Sequence, residues 1–567
     1  MRTLIPTAGL LLLVPTSCKS VPDPVAPRLA AMDLEQKAGQ LFVAWSLSRP
    51  DGDNHERLLA AVRDAGLGGV ILSLGSVDDA AALVPRLQAA AKVPLLLASD
   101  FEGGVWHRLD GATELGTQML VGATGSPELA EAMGRVTAQE AKALGFHWVF
   151  APVLDVNSNP DNPIINVRSF GEDPALVATL GCALARGVRS QGLLPCGKHF
   201  PGHGDVDSDS HLALPTVPGD GTRLRAVELR PFAAAARDGL ESIMTGHLAV
   251  PGLGEAPDVP ATLSHHILTD LLRGEFGFAG LVVTDALEMG GVKHAFPPGE
   301  VAVRALLAGA DVLLMPPDPL VARAAVVDAV RSGRVPMSRL DDAVRRILAA
   351  KAQVGLFAGG GAVAPDWRAR LRTPAAEQVA DRIAARGLTS VFVRDGVLPL
   401  RPGVAPRPLL VTLLDRDEGQ LAVFGDALGI AAADRVRLAG DSAADVVATA
   451  AQRVAAATCV VLALDVRVRE FSGQLGLAPA LQPVFAALRR EQRVVAVSFG
   501  DPYVARQLPL ADAYLCAYVG TERLQRLAAE ALRGERTTVG RLPVSIPGVA
   551  VLGAGSADPG VLPDGLR

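Results

Sequence analysis

A chain of 567 residues is long enough to form more than one hydrophobic core, so we expect two or more domains. Hydrophobic residues make up 49% of the chain and charged residues 20%, which is typical of a globular protein and excludes a disordered one. The formal net charge of -6 leaves no basic surplus, and nucleic acid is therefore not an expected partner.

The N-terminal residues resemble an export signal. Arg2 precedes an apolar run over residues 8–14 that is too short to span a membrane, and Cys18 precedes a Pro- and Ala-rich tether. Small residues before such a cysteine resemble a bacterial lipoprotein processing site. We predict a signal peptide and tether over residues 1–28, a lipid anchor at Cys18, and an exported protein that is periplasmic, outer-membrane-anchored or extracellular. A frayed cytosolic N-terminus is the alternative.

From residue 29 onward, eight short apolar runs alternate with Ala-, Leu- and Arg-rich stretches of helical period. The runs lie at residues 41–45, 69–74, 94–99, 148–155, 194–200, 241–247, 281–285 and 311–316. Eight strand–helix repeats predict a (β/α)8 barrel over residues 29–357, with a doubly wound open sheet as the alternative.

A second α/β domain is expected after the barrel. A Gly- and Ala-rich cluster begins a linker over residues 358–374, and apolar runs alternate with helical patterns again over residues 375–550. These runs lie at residues 388–393, 408–414, 459–465, 493–498 and 513–517. Residues 551–567 are rich in Gly, Pro and Asp and are expected to form a loose tail. No glycine-rich phosphate-binding signature occurs in the sequence.

Polar side chains stand at the ends of five predicted barrel strands. They are Asp100, Asp155, Lys198 with His199, His247 and Asp285. A single aspartate at a strand end is commonly a turn or helix-capping residue. Because the carboxyl ends of barrel strands meet on one face, five such ends together predict one active site there.

Two segments have the composition of a sugar-binding site. After the third run, Asp100 and Glu102 are followed by two glycines and Arg108, and carboxylates and guanidinium groups are suited to bind hydroxyl groups. A capping Asp and a structural Glu are the alternative. The loop at residues 157–174 is rich in turn-forming residues, and Arg168 is its single cation, so we interpret it as a binding wall.

The segment at residues 198–211 reads Lys-His-Phe-Pro-Gly-His-Gly-Asp-Val-Asp-Ser-Asp-Ser-His. Lys198 and His199 at the strand end are candidates to bind substrate hydroxyls. Asp209, two residues before His211, is positioned to fix its tautomer and raise its pKa, as a general acid requires. A metal site is the alternative, although glycine-rich loops hold metal ligands poorly and the cysteines have no zinc-binding spacing.

The seventh run ends at Asp285 and a helical pattern follows, so this carboxylate is expected to be ionised, with a plain helix cap as the alternative. An ionised Asp opposite a protonated acid is the arrangement for displacement at a sugar anomeric carbon. The Pro-Gly and His-Gly steps at Gly202 and Gly204 predict a hinge that lets the His211 loop close over substrate.

These residues resemble glycoside hydrolase family 3 through the whole first domain, and within it the β-N-acetylhexosaminidases. Lys198-His-Phe-Pro-Gly-His-Gly-Asp followed by Asp209-Ser-His211 is similar to the signature loop of that subgroup. The resemblance implies a TIM-type barrel followed by an αβα sandwich. One departure is visible: the family's Glu-Gly-Gly-Arg-Val-x-Arg reads Glu-Gly-Gly-Val-Trp-His-Arg here, and Trp106 is a candidate stacking surface.

The resemblance implies a retaining mechanism in which Asp285 is the nucleophile and His211, paired with Asp209, is the general acid/base. It further implies that five residues bind N-acetylglucosamine: Asp100, Arg108, Arg168, Lys198 and His199. The expected substrates are N-acetylglucosaminides, with muropeptides as their source, and no metal or other cofactor is expected. A glycoside phosphorylase and a non-catalytic sugar-binding lipoprotein are the alternatives.

Overall fold

The structure, a computed structural model, describes residues 24–293, 296–400, 407–415, 421–467 and 475–555. Cys18 and the predicted signal peptide up to residue 23 lie outside the described residues, as does the predicted tail from residue 556 onward. None of the helices in the described part of the chain combines the length and apolar character needed to cross a membrane.

Eight parallel strands form the first sheet. They are β1 (Phe42–Leu47), β2 (Gly69–Ser73), β3 (Leu96–Ser99), β4 (Trp148–Val149), β5 (Leu194–Phe200), β6 (Ser242–Thr245), β7 (Leu281–Val283) and β8 (Leu313–Leu314). The sheet order runs from β8 through β1 and on to β7, and a bridge between Val283 and Val312 brings β7 beside β8. The predicted barrel is therefore confirmed, and the open doubly wound sheet is not observed. β4 is shorter than predicted, and Pro152 beyond it has no N–H for a ladder.

Helices surround the barrel because each strand needs apolar cover on its outer face. The main helices are Asn54–Ala65, Val77–Ala90, Pro127–Ala143, Pro174–Arg189, Leu229–Arg237, the π-helical His266–Glu275, Pro298–Ala308, Pro319–Arg331 and Met337–Gln353. Two short helices, Ala26–Ala31 and Leu34–Gln40, precede β1. Several begin at capping side chains, such as Ser126 and Asp173, which accept a hydrogen bond from the first turn.

The second domain contains a six-stranded sheet. Its strands are β9 (Thr389–Val393), β10 (Leu409–Leu414), β11 (Arg435–Ala439), β12 (Cys459–Asp465), β13 (Arg493–Ser498) and β14 (Ala513–Cys516), in the order β9-β14-β13-β12-β10-β11. Helices Pro374–Gly387, Ala444–Ala456 and Glu522–Leu532 accompany it. All neighbouring strands are parallel except β9 and β14. The predicted second α/β domain is thus confirmed. β11 is the strand of this sheet that the sequence analysis did not predict.

The second domain contacts loops at the carboxyl end of the barrel. The side-chain amide of Asn157 donates a hydrogen bond to the Tyr503 hydroxyl at 2.8 Å, and that of Asn166 donates to Asp501 at 3.0 Å. Both asparagines belong to the loop after β4 that was interpreted as a binding wall. The second domain therefore holds this loop through two side-chain hydrogen bonds.

Two predicted unstructured regions contain ordered elements. A short helix, Trp367–Arg370, lies within the predicted linker. At the start of the predicted loose tail, the Leu542 N–H donates to the Ala554 carbonyl at 2.7 Å, so residues 551–555 pack against the preceding chain.

Candidate active site

A cavity of about 360 Å³ opens at the carboxyl ends of the barrel strands. All predicted site residues except Asp209 line it: Asp100, Arg108, Arg168, Lys198, His199, His211 and Asp285. Asp209 lies behind His211 and contacts its ring. The fold thus brings together residues that are up to 185 positions apart in the sequence, as Asp100 and Asp285 show.

The charged wall of the cavity is built on Lys198 from β5. Its ammonium Nζ lies 2.7 Å from both Asp100 Oδ1 and Glu102 Oε1. Arg168 reaches the same Glu102 with two hydrogen bonds, from Nε at 3.0 Å and from Nη2 at 2.8 Å. Arg108 Nη2 lies 4.0 Å from Asp100 Oδ2. Two carboxylates and three cations therefore hold one another at the end of β3.

These pairings keep the network ionised despite burial. Burial by itself raises the pKa of Asp100, but the charges of Lys198 and Arg108 outweigh it and lower that pKa. The pKa of Glu102 lies well below its ordinary value, because Arg168 and Lys198 overcome its desolvation. The pKa of Lys198 is raised, since the two carboxylates offset the effect of burial. The wall presents fixed charges to a ligand.

The loop that departs from the family pattern forms a short turn, Val105–His107. The Trp106 indole N–H donates to the Gly103 carbonyl at 2.7 Å, and its ring packs against His107. Trp106 is absent from the side chains that line the cavity, so in this structure it supports the loop and offers no stacking surface there.

Asp155, which lies beyond β4, organises two histidines beside the charged wall. Its carboxylate is fully buried and accepts hydrogen bonds from His199 Nδ1 at 2.7 Å and from the His203 backbone N–H at 2.7 Å. A carboxylate at Nδ1 places the His199 proton on that nitrogen and fixes the ring. The peptide bond between Lys198 and His199 is cis. Asp155 is thus a positioning residue for His199.

Asp285 is held at the end of β7 by backbone contacts. The Ala286 N–H donates to its Oδ1 at 2.8 Å, and His247 Nε2 lies 2.9 Å from the Ala286 carbonyl. Burial raises the pKa of Asp285, but the nearby imidazoles, first that of His199, lower it below its ordinary value. The carboxylate therefore lines the cavity in its ionised form.

His211 and Asp209 form a hydrogen-bonded pair at the mouth of the same cavity. His211 Nδ1 lies 2.6 Å from Asp209 Oδ1, and the same oxygen accepts the His211 backbone N–H at 2.9 Å. Asp209 is almost completely buried. Between the two residues, the Ser210 hydroxyl lies 2.8 Å from His203 Nε2. The Asp209 and His211 side chains thus hold each other, and Ser210 ties the segment to His203.

The loop that carries His211 packs on the chain that follows Asp285. The backbone N–H groups of Gly290 and Gly291 donate to the carbonyls of His211 and Ser210, at 3.0 and 3.1 Å. A Cβ at Gly290 would lie 2.5 Å from the Leu212 carbonyl oxygen, closer than any side chain tolerates. The absence of side chains here lets the loop approach Asp285.

Gly202 and Gly204 do not form the predicted free hinge. A Cβ at Gly204 would lie 1.8 Å from the Val156 carbonyl oxygen, and one at Gly202 would lie 2.6 Å from Glu228 Cβ. The residue between them, His203, is anchored to Asp155. Close packing explains why both positions are glycine. Substituting either one would disturb the fold of the site and would not test loop closure.

Comparison with known proteins agrees with this geometry. The family model described as "Glycosyl hydrolase family 3 N terminal domain" matches residues 33–350. The chain belongs to glycoside hydrolase family 3. It is 31% identical to the "Beta-N-acetylglucosaminidase/beta-glucosidase" of Cellulomonas fimi over 92% of this chain and 95% of that protein.

Two solved structures of similar fold cover nearly the whole chain. A glycoside hydrolase family 3 beta-N-acetylglucosaminidase from Paenibacillus sp. str. FPU-7 has a TM-score of 0.80 and 31% identity, over 91% of this chain and 99% of that one. "Beta-glucoside phosphorylase BglX" has a TM-score of 0.82 and 26% identity, over 92% and 95%. The predicted resemblance to the family and its hexosaminidase subgroup is confirmed, and the protein is a glycosidase of this family.

Within this family 3 site, sequence reasoning assigned no role to several residues. Asp155 and His247 were recognised as strand ends, but their contacts with neighbouring backbone and histidines depend on the closed barrel. Trp45, which also lines the cavity, was treated as part of an ordinary apolar strand. A large aromatic residue near the carboxyl end of a barrel strand is the signal that could have identified it.

The metal-site alternative has no support from the geometry of the described residues. Within them, no group of three or more His, Cys, Asp or Glu side chains is arranged to hold a metal ion. The histidines at the loop instead pair with carboxylates or a hydroxyl, as described above.

Proposed function

We propose that this glycosidase is a retaining β-N-acetylhexosaminidase that releases terminal, non-reducing β-linked N-acetylglucosamine. One observation carries the proposal: an ionised Asp285 and a His211 ring backed by Asp209 line the same cavity. A nucleophilic carboxylate and a separate proton donor are the two groups that a double-displacement glycosidase needs.

In the first step, an Asp285 oxygen attacks the anomeric carbon while His211 gives a proton to the glycosidic oxygen, and the leaving group departs. In the second step, the now neutral His211 takes a proton from water, which attacks the anomeric carbon and releases Asp285. Asp209 holds the ring through Nδ1 and stabilises its charged form, so the other ring nitrogen carries the transferred proton.

The charged wall supplies the first sugar subsite in this proposal. Lys198, Arg108 and Arg168 donate to hydroxyl or acetamido oxygens, and Asp100 accepts from hydroxyl groups. Because Glu102 is almost completely buried between Lys198 and Arg168, its role is to position these cations and not to touch the sugar. His199, oriented by Asp155, completes the subsite.

The source of the substrate and the location of the enzyme are further parts of the proposal. The apolar run at residues 8–14 and the small residues before Cys18 favour export and a lipid anchor. An exported enzyme of this specificity would meet N-acetylglucosamine in peptidoglycan fragments. Muropeptides are therefore the proposed natural substrates.

A phosphorylase is the second candidate, and one observation favours it. The acid/base in this site is a histidine, which does not repel an incoming phosphate as a carboxylate would. One of the proteins of similar fold is a beta-glucoside phosphorylase. The two candidates share the first step and differ in whether water or phosphate attacks the glycosyl-enzyme. Product analysis with and without inorganic phosphate separates them, since a sugar 1-phosphate as main product would contradict hydrolysis.

The central experiment measures release of 4-nitrophenol from its β-N-acetylglucosaminide by the wild type and by Asp285→Ala. We expect turnover to fall by about 10⁴-fold or more, because the covalent route is lost. Mass spectrometry after incubation with a 5-fluoro glycosyl fluoride should find the adduct on the peptide that contains Asp285. Equal rates for the two proteins, or an adduct on another peptide, would contradict the mechanism.

A further inference from the structure

The wall of the cavity is divided by chemistry along the circle of strands. The charged groups follow β3, β4, β5 and β7. The other side, made by β8, β1 and β2, presents mainly apolar side chains to the cavity: Leu314, Met315, Trp45, Ile71 and Leu74, with Ser73 as its polar member. These three strands are consecutive neighbours in the barrel, so the apolar residues form one continuous arc.

Trp45 is unusually exposed for a residue inside a barrel strand. Its exposed fraction is 41%, although the residues on either side of it, Ala44 and Ser46, are buried. In the sheet it pairs with Ile71 of β2, another residue that lines the cavity. An indole left in water at the mouth of a catalytic cavity is a ready surface for a ligand, because covering it removes apolar area from water.

Leu74 and Met315, on either side of Trp45, adopt strained backbone conformations. Their φ angles are 44° and 47°, in the left-handed region that costs a non-glycine residue about 1–3 kcal/mol. The Met315 N–H donates to the Val43 carbonyl at 2.8 Å, so this residue is fixed beside β1. Strained residues that line a cavity are commonly held there for contact with a ligand. Both side chains line the same side of the cavity as Trp45.

The direction of the substrate follows from the proposed function, on which this step rests. The anomeric carbon must lie at Asp285, and the ring that is cleaved off binds the charged groups after β3, β4 and β5. The leaving group is on the far side of the glycosidic bond, and it therefore points away from Lys198 and Arg168. In the closed barrel, β8 and β1 stand opposite β4 and β5, so the arc of β8, β1 and β2 faces the leaving group.

We propose that Trp45, Leu74 and Met315 form a second sugar subsite, which binds the leaving group, and that this group is a pyranose ring. A β-linked pyranose has one face of C–H groups and a rim of hydroxyls. The C–H face stacks on the indole, as apolar and polarised groups do on aromatic rings. The strained pair on either side of Trp45 sets the edges of this subsite.

Two substrates with the same first sugar test the proposal. N,N′-diacetylchitobiose has a pyranose leaving group, whereas N-acetylglucosaminyl fluoride loses only a fluoride ion. For Trp45→Ala, kcat/KM on the disaccharide should fall about tenfold or more, the loss expected for uncovering a large aromatic contact. On the fluoride it should stay within about twofold. Trp45→Phe should recover part of the loss because it restores an aromatic face.

Leu74→Ala should give a smaller loss on the disaccharide only. Leu320→Ala is its matched control, because Leu320 is similarly exposed, at 44% against 42%, but does not line the cavity. It should change neither rate. If Trp45→Ala loses the same activity on both substrates, Trp45 acts on the first sugar or on folding. If it loses none on either substrate, Trp45 does not contact the leaving group. If the wild type cleaves neither substrate, the proposed function itself fails, which is a distinct result.

Discussion

The two ends of the barrel both bury ionisable groups, yet they differ in what surrounds those groups. At the carboxyl end, Lys198, Asp100 and Asp285 line an open cavity. At the amino end, Asp311 is fully buried just before β8 and is enclosed by arginines, with Arg339 at 3.2 Å. Arg273 and Arg346 contact the same carboxylate.

A second buried ionisable group at the amino end, Lys351, has no carboxylate partner among the contacts of the described residues. Lys351 is fully buried and donates to the Gln40 side chain at 2.6 Å, and burial lowers its pKa to about 7. Nearby, burial lowers the pKa of His147 to about 3. A buried and perturbed group is therefore not by itself a sign of chemistry. The cavity distinguishes the two ends, and it predicts that substitutions at one end change activity and at the other change stability.

Among the substitutions that compare the two ends, Asp209→Asn at the carboxyl end is expected to have the largest effect. Without the carboxylate, the charged form of His211 loses its stabilisation, and kcat/KM on diacetylchitobiose should fall by about 10²- to 10⁴-fold. On a 2,4-dinitrophenyl glycoside, whose leaving group needs no proton, the loss should be much smaller. Asp207→Asn is the control, since Asp207 is exposed in the same loop. A large loss of thermal stability in Asp209→Asn would contradict the prediction that substitutions at the carboxyl end of the barrel change activity and not stability.

At the amino end, Asp311→Asn should destabilise the barrel by about 3–5 kcal/mol, because three arginines lose the charge that they share. The folded variant should keep wild-type kcat and KM. Thermal unfolding followed by circular dichroism, together with the kinetic assay, measures both. Asp342→Asn is a suitable control, since Asp342 lies in the helix that carries Arg339 and Arg346 and its ion pair with Arg345 is exposed. An Asp311→Asn protein of normal stability but low activity would contradict the comparison.

Lys351→Met should change the pH dependence of stability. The unfolded lysine binds a proton up to a pKa of about 10.4, whereas the folded one releases it near pH 7. Wild-type stability therefore includes a penalty that is complete below pH 7 and disappears as pH rises toward about 10, with a slope of at most about 1.4 kcal/mol per pH unit. The variant lacks this penalty, so its stability relative to wild type should be greatest at pH 6 and decline at pH 9.

The control for Lys351→Met is Lys92→Met, which removes one positive charge from the surface. Melting temperatures of all three proteins between pH 6 and pH 9 provide the measurement. A difference between Lys351→Met and wild type that is the same at every pH would show that the buried lysine does not titrate differently in the two states.

The smallest effect is expected from Tyr503→Phe in the second domain. The change removes the acceptor for Asn157, whose Oδ1 in turn accepts the Asn166 N–H at 2.9 Å in the loop that carries Arg168. One such hydrogen bond is worth about 0.5–1.5 kcal/mol, so KM should rise by a few fold with kcat little changed. Tyr518→Phe removes a buried hydroxyl within the second domain and should leave KM unchanged. Equal KM values for both variants would show that the second domain does not support the sugar subsite.

The sequence was sufficient for the barrel because its strands, β1 apart, are buried on both faces and therefore read as largely apolar runs. β11 was missed for the opposite reason: it lies at the edge of the second sheet, and its first residues, Arg435 to Arg437, alternate charged and apolar side chains. Such a segment resembles a loop as much as a strand. The number of barrel strands was predictable, whereas an edge strand was not.

In the site, the sequence predicted which residues lie together but not what each of their side chains contacts. Strand ends predicted that Asp100, Lys198 and Asp285 would meet. A carboxylate at a strand end looks the same in sequence whether it binds a sugar or orients a histidine, as Asp155 does. Gly204 likewise looks like a hinge until the nearby Val156 carbonyl is known. These distinctions depend on contacts between distant segments, which a single sequence does not contain.

The two amide contacts from Gly290 and Gly291 fasten the His211 loop to the chain that follows Asp285. If the loop lifts to release product, two backbone hydrogen bonds must be exchanged for water at once, which makes opening a collective motion of microseconds or longer and not a side-chain rotation. His211 would move with the loop, so the position of this ring and the release of product would share one timescale. Hydrogen exchange at these two glycine amides would report directly how often the loop opens.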